Sequence, residues 1–473
     1  MTDRTETNAR ALGARLLRRF QGDGLSARAT RGTFISSGAF VLENLFRLAS
    51  NLILTRLLFP EDFGLMSLVM VVIAGLQMFA DLGISASIVQ DDRGDDRRFL
   101  DTAWTVQIGR GAVLWLATAL CAAPAAAFFE EPRLLALLPV AGIIAFLQGF
   151  NSTKLITAGR HLQIGRVTGL MLATQVVGIV VTVLLAVWLR SVWALMIGAL
   201  VAPALLALLS HVVLPGETNR LRLDRDAVRR LFGFGQYIFI STIAGFVLNQ
   251  GDRLVLGKIA SLDVMGFYYL AFALASIPLL LTRRLSNAVL FPAYAARAGK
   301  RDGADGESRT AVKGRAMILS VTIAGAIFLG LSGDLIISTL YDPRYATAGA
   351  LLVLIALAQI PILLVSNYSV MLLSVGNSRA FAGYTITMAI VGSAALIGGG
   401  WLLGVLGVVI APGFAALVTY PLAVWLVRPY DGWLSRQDAM FAIAGLIGAG
   451  LALWLNADAI RDLWIAHGTV VRG

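Results

Sequence analysis

The stretch Arg56-Leu-Leu-Phe-Pro-Glu-Asp-Phe-Gly64 lies between two long apolar runs, and the related stretch Lys258-Ile-Ala-Ser-Leu-Asp-Val-Met-Gly266 lies between two others. The two stretches are 202 residues apart. In each, a cation ends one apolar run, an acidic residue (Glu61 or Asp263) follows in a short turn, and a glycine precedes the next run. A short polar turn between long apolar runs is typical of two membrane helices joined as a hairpin. Its repetition predicts a chain made of two similar halves.

The composition extends this interpretation to the whole chain. Of 473 residues, 58% are hydrophobic and only 14% are charged, and the mean hydropathy is +0.78. These values exclude an ordinary soluble protein. The apolar runs are too long and too irregular for membrane strands, so we predict an all-α polytopic membrane protein. The net charge of +11 would suggest nucleic acid in a soluble domain, but here the expected partner is the lipid bilayer and not nucleic acid.

Windows of about 20 apolar residues, the length that crosses a bilayer, define about 12–13 transmembrane helices. The thirteen predicted spans are 33–57, 65–90, 101–129, 134–157, 167–189, 192–214, 233–257, 265–290, 315–338, 348–374, 381–403, 405–427 and 438–456. Alternate connections, starting with the N-terminal segment, hold 26 of the 39 Lys and Arg residues, and the opposite connections hold 6. The positive-inside rule therefore predicts a cytoplasmic N-terminus.

The repeat predicts two six-helix lobes. Because each half contains an even number of spans, the lobes share one orientation and are related by a pseudo-two-fold axis along the membrane normal, with a V-shaped central cavity between them. The expected segments are a basic stretch at 1–32, lobes at 33–214 and 232–428 joined by a cytoplasmic linker at 215–231, and an additional helix and tail at 429–473.

The segments outside the lobes carry their own expectations. The basic stretch fits either an amphipathic helix on the membrane surface or a disordered tail. We expect an amphipathic interfacial helix in the linker. The end of the chain, 457–473, is too short and too polar to cross the membrane again.

Several segments resemble a known family, and they cover about residues 30 to 430. They are Thr33 to Val89, Leu100-Asp-Thr-Ala-Trp-Thr-Val-Gln-Ile-Gly-Arg-Gly111, Pro124-Ala-Ala-Ala-Phe-Phe-Glu-Glu-Pro132, Val264-Met-Gly-Phe-Tyr-Tyr-Leu-Ala-Phe272, Leu290-Phe-Pro-Ala-Tyr294 and Leu340-Tyr-Asp-Pro-Arg-Tyr345. Their order and spacing resemble the polysaccharide transporter family, the bacterial oligosaccharide flippases of the multidrug/oligosaccharidyl-lipid/polysaccharide exporter superfamily.

The resemblance implies a transporter of the bacterial inner membrane that works by alternating access. Its substrate would be an undecaprenyl-pyrophosphate-linked oligosaccharide repeat unit, moved from the cytoplasmic to the periplasmic leaflet for exopolysaccharide, O-antigen or capsule assembly. A polysaccharide polymerase and a chain-length regulator are further expected partners. The chain departs from a fourteen-span pattern at its C-terminal end.

Charges near the bilayer centre are the candidate site residues, since each costs at least roughly 2.5–3.5 kcal/mol there unless it faces water or a partner. Glu43 and Arg47 lie within roughly 3 Å of the middle of the first span and on the same helix face. We predict that the guanidinium groups of Arg47, Arg110 and Arg253 receive the substrate pyrophosphate. The alternative for Arg47 is a structural ion pair with Glu43.

Four further residues are candidates for a cavity charge or a coupling role: Glu43, Asp81, Asp252 and Arg283. Asp81 could be a proton or sodium site that couples transport to an ion gradient. The 202-residue shift instead aligns it with Arg283, which suggests a latch between the lobes, and a plain structural pairing is the third possibility. No cofactor and no metal is expected, because the three histidines are scattered.

Three other functions compete with a flippase. A multidrug-type antiporter of the same superfamily would favour acidic cavity residues, whereas the two best central cations here, Arg47 and Arg110, favour an anionic cargo. A membrane-embedded polysaccharide polymerase or glycosyltransferase commonly needs a substantial outer loop, and the predicted outer loops are short. A scaffold for synthesis enzymes would leave the midplane charges unexplained. We therefore expect a transporter and not an enzyme.

Overall fold

The computed structural model describes residues 25–79, 83–161, 163–229, 239–298 and 305–467. These regions are helical and joined by short connections, as expected where lipid offers backbone groups no hydrogen-bond partners. In the N-terminal half the helices are α1 (Leu25–Leu57), α2 (Pro60–Phe79), α3 (Ile84–Gln90), α4 (Arg97–Leu120), α5 (Ala122–Phe129), α6 (Leu134–Gly149), α7 (Lys154–Arg160), α8 (Ile164–Leu189) and α9 (Val192–Val212).

The C-terminal half is built in the same way. Its helices are α10 (Phe239–Ile259), α11 (Leu262–Ala275), α12 (Ile277–Leu285), α13 (Phe291–Ala298), α14 (Asp305–Leu340), α15 (Thr347–Ser374), α16 (Ser378–Val427), α17 (Ser435–Leu455) and α18 (Ala457–His467). A π-helical turn, Ser286–Leu290, joins α12 to α13.

Within the described residues, each of the thirteen predicted spans overlaps one or more helices. By length and composition, eight of the described helices could cross a membrane, or ten if each of two bent pairs is one span. These numbers count α16 once and leave out α1 and α10, which contain charged residues. The all-α polytopic prediction is therefore confirmed.

The helix α16 is two antiparallel helices and not one rod. Gly404 has φ 58° and ψ −135°, a conformation that a residue with a Cβ rarely adopts. The chain reverses there, so that the backbones of Gly399 and Gly407 come into contact. The predicted spans 381–403 and 405–427 end and begin on either side of this residue.

One end of the bundle brings the two lobes together. We call it the outer end, since the charge distribution predicts that it faces the periplasm. A Cβ atom on Gly64 would overlap the carbonyl oxygen of Leu262, and one on Gly266 would overlap the carbonyl oxygen of Pro60. The 202-residue shift exchanges these two contacts. They are therefore equivalent under a pseudo-two-fold axis, as the repeat predicted.

Polar contacts surround this glycine seam. The Tyr345 hydroxyl donates to the Leu58 carbonyl (3.1 Å), and the Arg344 guanidinium donates to the Arg56 carbonyl (3.2 Å). Lys258 of the C-terminal lobe forms an ion pair with Glu130 of the N-terminal lobe. We call the two glycine contacts and these polar contacts the outer seam.

Two segments outside the lobes can be compared with their expectations. The tail forms α18, which has 11 residues and packs with Leu463 buried, so within the described residues it does not cross the membrane. The linker is extended at residues 217–224 and helical only from residue 225, so the expected interfacial helix is wrong for its first part. The basic segment before residue 25 lies outside the described residues.

Candidate functional site

Two cavities adjoin each other inside the bundle. The interlobe cavity, about 370 Å³, lies where α2, α6 and α9 of one lobe meet α10 and α11 of the other. The N-lobe cavity, about 350 Å³, lies among α2, α4, α6 and α9. Gln77 and Gln148 line both cavities, and the Gln77 side-chain amide donates to the Gln148 amide oxygen (3.2 Å). This pair of glutamines marks the boundary between the two cavities.

A break in the helix pair α6–α7 supplies polar groups to the N-lobe cavity. The two helices are bent by 53°, which frees backbone carbonyl groups at the end of α6. The Gln107 side-chain amide donates to the carbonyl of Gln148 (3.0 Å) and reaches those of Gly149 and Asn151 (3.3 Å each). A side chain of α4 therefore satisfies backbone groups that the apolar surroundings would otherwise leave without partners.

Arg110 brings a positive charge into the N-lobe cavity. It lies on α4, is half-buried, and its guanidinium points to the Gln77 carbonyl (Nη2 to O, 3.5 Å). The polar residues that share the cavity wall with it are neutral: Gln77, Ser85, Gln107, Gln148, Asn151 and Ser152. Among the described residues that line it, the cavity thus combines an arginine with amide and hydroxyl groups.

Arg253 is the charged residue among the described residues that line the interlobe cavity. Its Nη1 donates to the Gln250 side-chain oxygen (2.8 Å), and its guanidinium carbon lies 4.7 Å from the centre of the Phe272 ring. Its Nε atom is buried and finds no acceptor among the described residues. Tyr269 and Ser67 complete the polar wall of this cavity. Neither cavity has an Asp or Glu among the described residues that line it.

The two arginines lie at different depths. Gln77 lies 17 residues after Pro60 at the outer end of α2, which is roughly 25 Å along the helix. Arg110 contacts Gln77 and therefore lies at about the same depth. Arg253 precedes the outer end of α10 by 6 residues, or roughly 9 Å. The cavities therefore form two successive polar compartments along the membrane normal.

The remaining predicted site residues lie elsewhere. Arg47 is exposed on α1 and donates to the Asn44 side chain (2.9 Å), not to Glu43, which is also exposed. It lines neither cavity, although it shares a helix face with Phe40, seven residues earlier. The Phe40 ring lies 4.1 Å from the guanidinium carbon of Arg284 in the other lobe, so this face of α1 turns towards the C-terminal lobe.

Asp252 is buried and accepts a hydrogen bond from the Tyr268 hydroxyl, so it faces α11 and not the interlobe cavity. Arg283 is exposed on α12. Asp81 lies outside the described residues, and its pairing with Arg283 stays a prediction. The roles predicted for all of these residues also stay predictions.

Sequence reasoning missed the glutamines that line the cavities. Gln77, Gln107, Gln148 and Gln250 carry no charge, so a search for charges in apolar runs passes over them. The signal that could have found them is a neutral amide inside a predicted span, because such a group also needs a hydrogen-bond partner or water.

A second polar cluster was also missed. Arg315 of α14 is fully buried and bonds to Asp438 of α17 (2.6 Å). The hydroxyls of Tyr368 and Tyr420 both donate to the other carboxylate oxygen of Asp438. This cluster fastens the additional helix α17 to α14, α15 and α16 in the C-terminal lobe.

Comparison with known proteins identifies the family. Residues 53–350, more than half of the chain, match the model of a family described as polysaccharide biosynthesis protein. The chain belongs to this family. It is a multi-pass membrane protein, and the resemblance inferred from its segments is confirmed.

Two curated relatives are similar over part of their length. The lipopolysaccharide biosynthesis protein WzxC of Escherichia coli (strain K12) is 23% identical over 248 residues, which are 51% of this chain and 49% of the relative. The succinoglycan biosynthesis transport protein ExoT of Rhizobium meliloti (strain 1021) is 23% identical over 242 residues, with the same coverage. The matched region thus spans about half the length of each relative.

Solved structures support the fold. A structure described as lipid II flippase MurJ in an inward closed conformation has a TM-score of 0.66 at 12% identity, covering 90% of this chain and 99% of that one. An inward-facing multidrug resistance transporter of the MATE family has a TM-score of 0.62 at 14% identity, covering 82% and 94%. At these identities, the likeness to a flippase and to a transporter concerns the fold alone.

Proposed function

We propose that this protein is a flippase. It moves undecaprenyl-pyrophosphate-linked oligosaccharide repeat units from the cytoplasmic to the periplasmic leaflet by alternating access, with its N-terminus in the cytoplasm. The observation that carries the proposal is the pair of adjoining cavities, each lined by an arginine and by neutral amides, inside a member of a polysaccharide biosynthesis family.

The chemistry of the cavity walls fits the two parts of such a substrate. Arginine presents a planar set of donors that matches phosphate oxygens, and a diphosphate crossing a low-dielectric region needs compensating positive charge. Amide side chains both donate and accept hydrogen bonds, as sugar hydroxyls do. A cationic drug would be repelled by Arg253, so the interlobe cavity disfavours the multidrug alternative.

The cavities are small, and this supports a mechanism in which the two lobes move apart. Each cavity falls near the lower limit of the roughly 300–1,000 Å³ seen for small-molecule sites, which is small for an oligosaccharide. The outer seam closes the interlobe cavity at one end. Substrate passage therefore requires that the lobes separate, first at the inner end and then at the outer seam.

Genetics tests the function most directly. In a bacterium from which the gene has been deleted, we expect lipid-linked repeat units to accumulate on the cytoplasmic side and surface polysaccharide to disappear. Wild-type protein should restore export, whereas Arg110→Gln should not. Arg379→Gln is the matched control, because Arg379 is exposed and lines neither cavity. A deletion strain that makes no lipid-linked units at all would overturn the proposal in favour of a synthetic role.

Ion coupling is tested separately in proteoliposomes. If transport is driven by protons or sodium, the flipping rate should respond to an imposed pH or sodium gradient, and Asp81→Asn should abolish that response. A flipping rate that ignores both gradients would remove the coupling role.

The alternating-access step is tested at the outer seam. Gly64→Ala should prevent closure, because its Cβ would overlap the Leu262 carbonyl. We expect a Cys placed at Ser67, in the interlobe cavity, to become accessible to a periplasmic thiol reagent and export to fall. Gly383→Ala is the control, since no atom lies within 4 Å of its added Cβ. Unchanged labelling and export in Gly64→Ala would contradict closure at this seam.

A further inference from the structure

The first part of the linker runs as an extended segment along the inner end of α4, and we call residues 220–223 of it the linker strand. Alternate backbone N–H groups donate to α4 side chains: Arg220 to Asp101 (2.9 Å), Arg222 to Thr105 (2.9 Å) and Asp224 to Thr102 (3.1 Å). Just before them, the Asn219 side-chain oxygen accepts from the Ser152 hydroxyl (2.8 Å). The segment is thus fixed to the N-terminal lobe.

The position of these contacts along α4 defines the level of the linker strand. Asp101 and Thr105 follow the first residue of α4, Arg97, by 4 and 8 residues, or roughly 6 and 12 Å along the helix. Trp104, whose indole donates to the Phe150 carbonyl, lies between them. Tryptophan is enriched where membrane helices pass through the headgroup layer. The linker strand therefore lies beside α4 at the level where this helix enters the bilayer.

The side chains of the linker strand are unusual for a segment fixed so firmly. Leu221 and Leu223 are 72% and 69% exposed, although both are large and apolar. Arg220 and Arg222 alternate with them, are exposed, and form no ion pair among the described residues.

The neighbouring acidic groups are occupied elsewhere. Glu217 pairs with Arg97 (2.8 Å), and Asp224 accepts from the N–H groups of Asp226 and Ala227 at the start of the following helical turn. The linker strand thus presents two apolar and two cationic side chains.

We propose that the linker strand is a binding site for anionic phospholipids of the adjacent leaflet. Leu221 and Leu223 enter the boundary between headgroups and acyl chains, and Arg220 and Arg222 contact the lipid phosphates. The depth of the strand indicates a lipid, because its exposed leucines lie at the level of the headgroups. Its charge indicates an anionic lipid, because the two arginines beside these leucines have no ion-pair partner among the described residues. The site is separate from both cavities and does not depend on the proposed substrate.

Site-specific fluorescence tests the site in the full-length protein. The single cysteine, Cys121, is first changed to Ala, and one fluorescent label is then attached at Leu221→Cys, Leu223→Cys or Thr218→Cys. Thr218 is the matched control, because it is exposed on the same linker but precedes the linker strand. Each labelled protein is reconstituted in nanodiscs of phosphatidylcholine alone or mixed with phosphatidylglycerol. Quenching is measured with nitroxide-bearing lipid and with aqueous iodide.

We expect the labels at 221 and 223 to be quenched by the lipid nitroxide and protected from iodide, and the label at 218 to show the reverse. The difference should be larger in the anionic nanodiscs, since each arginine at an anionic surface strengthens binding by about fivefold. Arg220→Gln with Arg222→Gln should remove that dependence on lipid charge. Equal iodide quenching at all three positions would overturn the site, and equal lipid quenching in both membranes would overturn its preference for anionic lipid.

A further variant tests how the linker strand is held. Asp101→Ala removes the acceptor for the Arg220 N–H group, so the label at 221 should lose part of its protection from iodide. Unchanged protection would show that the α4 contacts do not set the level of the strand, and it would contradict the argument from depth.

Discussion

Arg315 and Arg253 are both arginines inside the C-terminal half, but their surroundings differ. Arg315 is fully buried, bonds to the Asp438 carboxylate and lies 4.8 Å from the centre of the Tyr368 ring. Arg253 also lies against an aromatic ring, but its hydrogen-bond partner is a neutral glutamine, Gln250. The adjacent carboxylate, Asp252, turns to Tyr268.

This difference separates a structural charge from one that can bind a ligand. A carboxylate partner neutralises the Arg315 charge within the protein, so the pair holds helices together and attracts no anion. A neutral amide leaves the Arg253 charge uncompensated at the wall of a cavity, where an anionic ligand would complete it.

The largest effect, a loss of stability, is expected when the ion pair between Arg315 and Asp438 is broken. Asp438→Ala leaves the Arg315 guanidinium buried without a carboxylate and removes the acceptor of two tyrosine hydroxyls. Loss of one partner of a buried ion pair destabilises a protein by roughly 3–5 kcal/mol. We expect a much lower thermal midpoint in detergent and less protein in the membrane.

A double variant provides the control. Arg315→Met with Asp438→Leu removes both charges and should recover most of the lost stability, because a well-packed apolar pair can replace a buried ion pair. A double variant as unstable as Asp438→Ala would mean that the tyrosine hydroxyls, rather than the ion pair, hold the cluster together.

Substitution of Arg253, whose partner is neutral, should instead affect export and leave stability nearly unchanged. Arg253→Gln should leave the thermal midpoint nearly unchanged, because no carboxylate loses its partner. Export should fall by roughly tenfold or more, which corresponds to about 1.4 kcal/mol. Arg253→Lys should retain part of the activity, since lysine keeps the charge but lacks the planar donor pair.

Complementation of the deletion strain measures export, and thermal unfolding measures stability in the same preparations. The distinction between the two arginines fails if Arg253→Gln destabilises the protein as much as Asp438→Ala does. It also fails if Arg253→Gln exports at the wild-type rate.

A smaller effect is expected from the hydroxyl groups around Asp438. Tyr420→Phe removes one donor to the carboxylate, while Arg315 and Tyr368 still contact it. A single hydrogen bond contributes about 0.5–1.5 kcal/mol to stability. We expect a slightly lower thermal midpoint and unchanged export, measured on the same samples. A loss of export without a loss of stability would assign this cluster a role in transport.

The sequence predicts the fold of this protein well because its signals are local. Long apolar runs indicate the spans, and Gly404 separates two of them where the chain reverses. The correspondence between Gly64 and Gly266 can also be found from the sequence alone, by aligning residues 56–64 with residues 258–266. Their reciprocal contacts at the outer seam then follow from the symmetry of the repeat.

The site is less predictable because it depends on how each helix is rotated. Arg315 and Asp438 are 123 residues apart, and nothing in either local sequence indicates the other. Depth in the membrane can be estimated from a residue's position in a span, but the direction of its side chain depends on neighbouring helices. The linker shows the same limit, since its N–H groups bond to side chains of α4 that a local helix prediction does not include.

Arg47 illustrates this limit and gives the smallest expected effect. Depth alone ranks it first among the candidate cations, but it lies on the exposed face of α1, bonds to Asn44 and lines neither cavity. We therefore expect Arg47→Gln to reduce export by less than Arg110→Gln or Arg253→Gln, and Arg47→Lys to export as the wild type does. The three glutamine variants are compared by complementation at matched protein levels. If Arg47→Gln reduces export as much as Arg253→Gln does, the face of α1 that carries Arg47 and Phe40 must line the path once the lobes separate. Depth would then be the better guide to the site than the closed cavities.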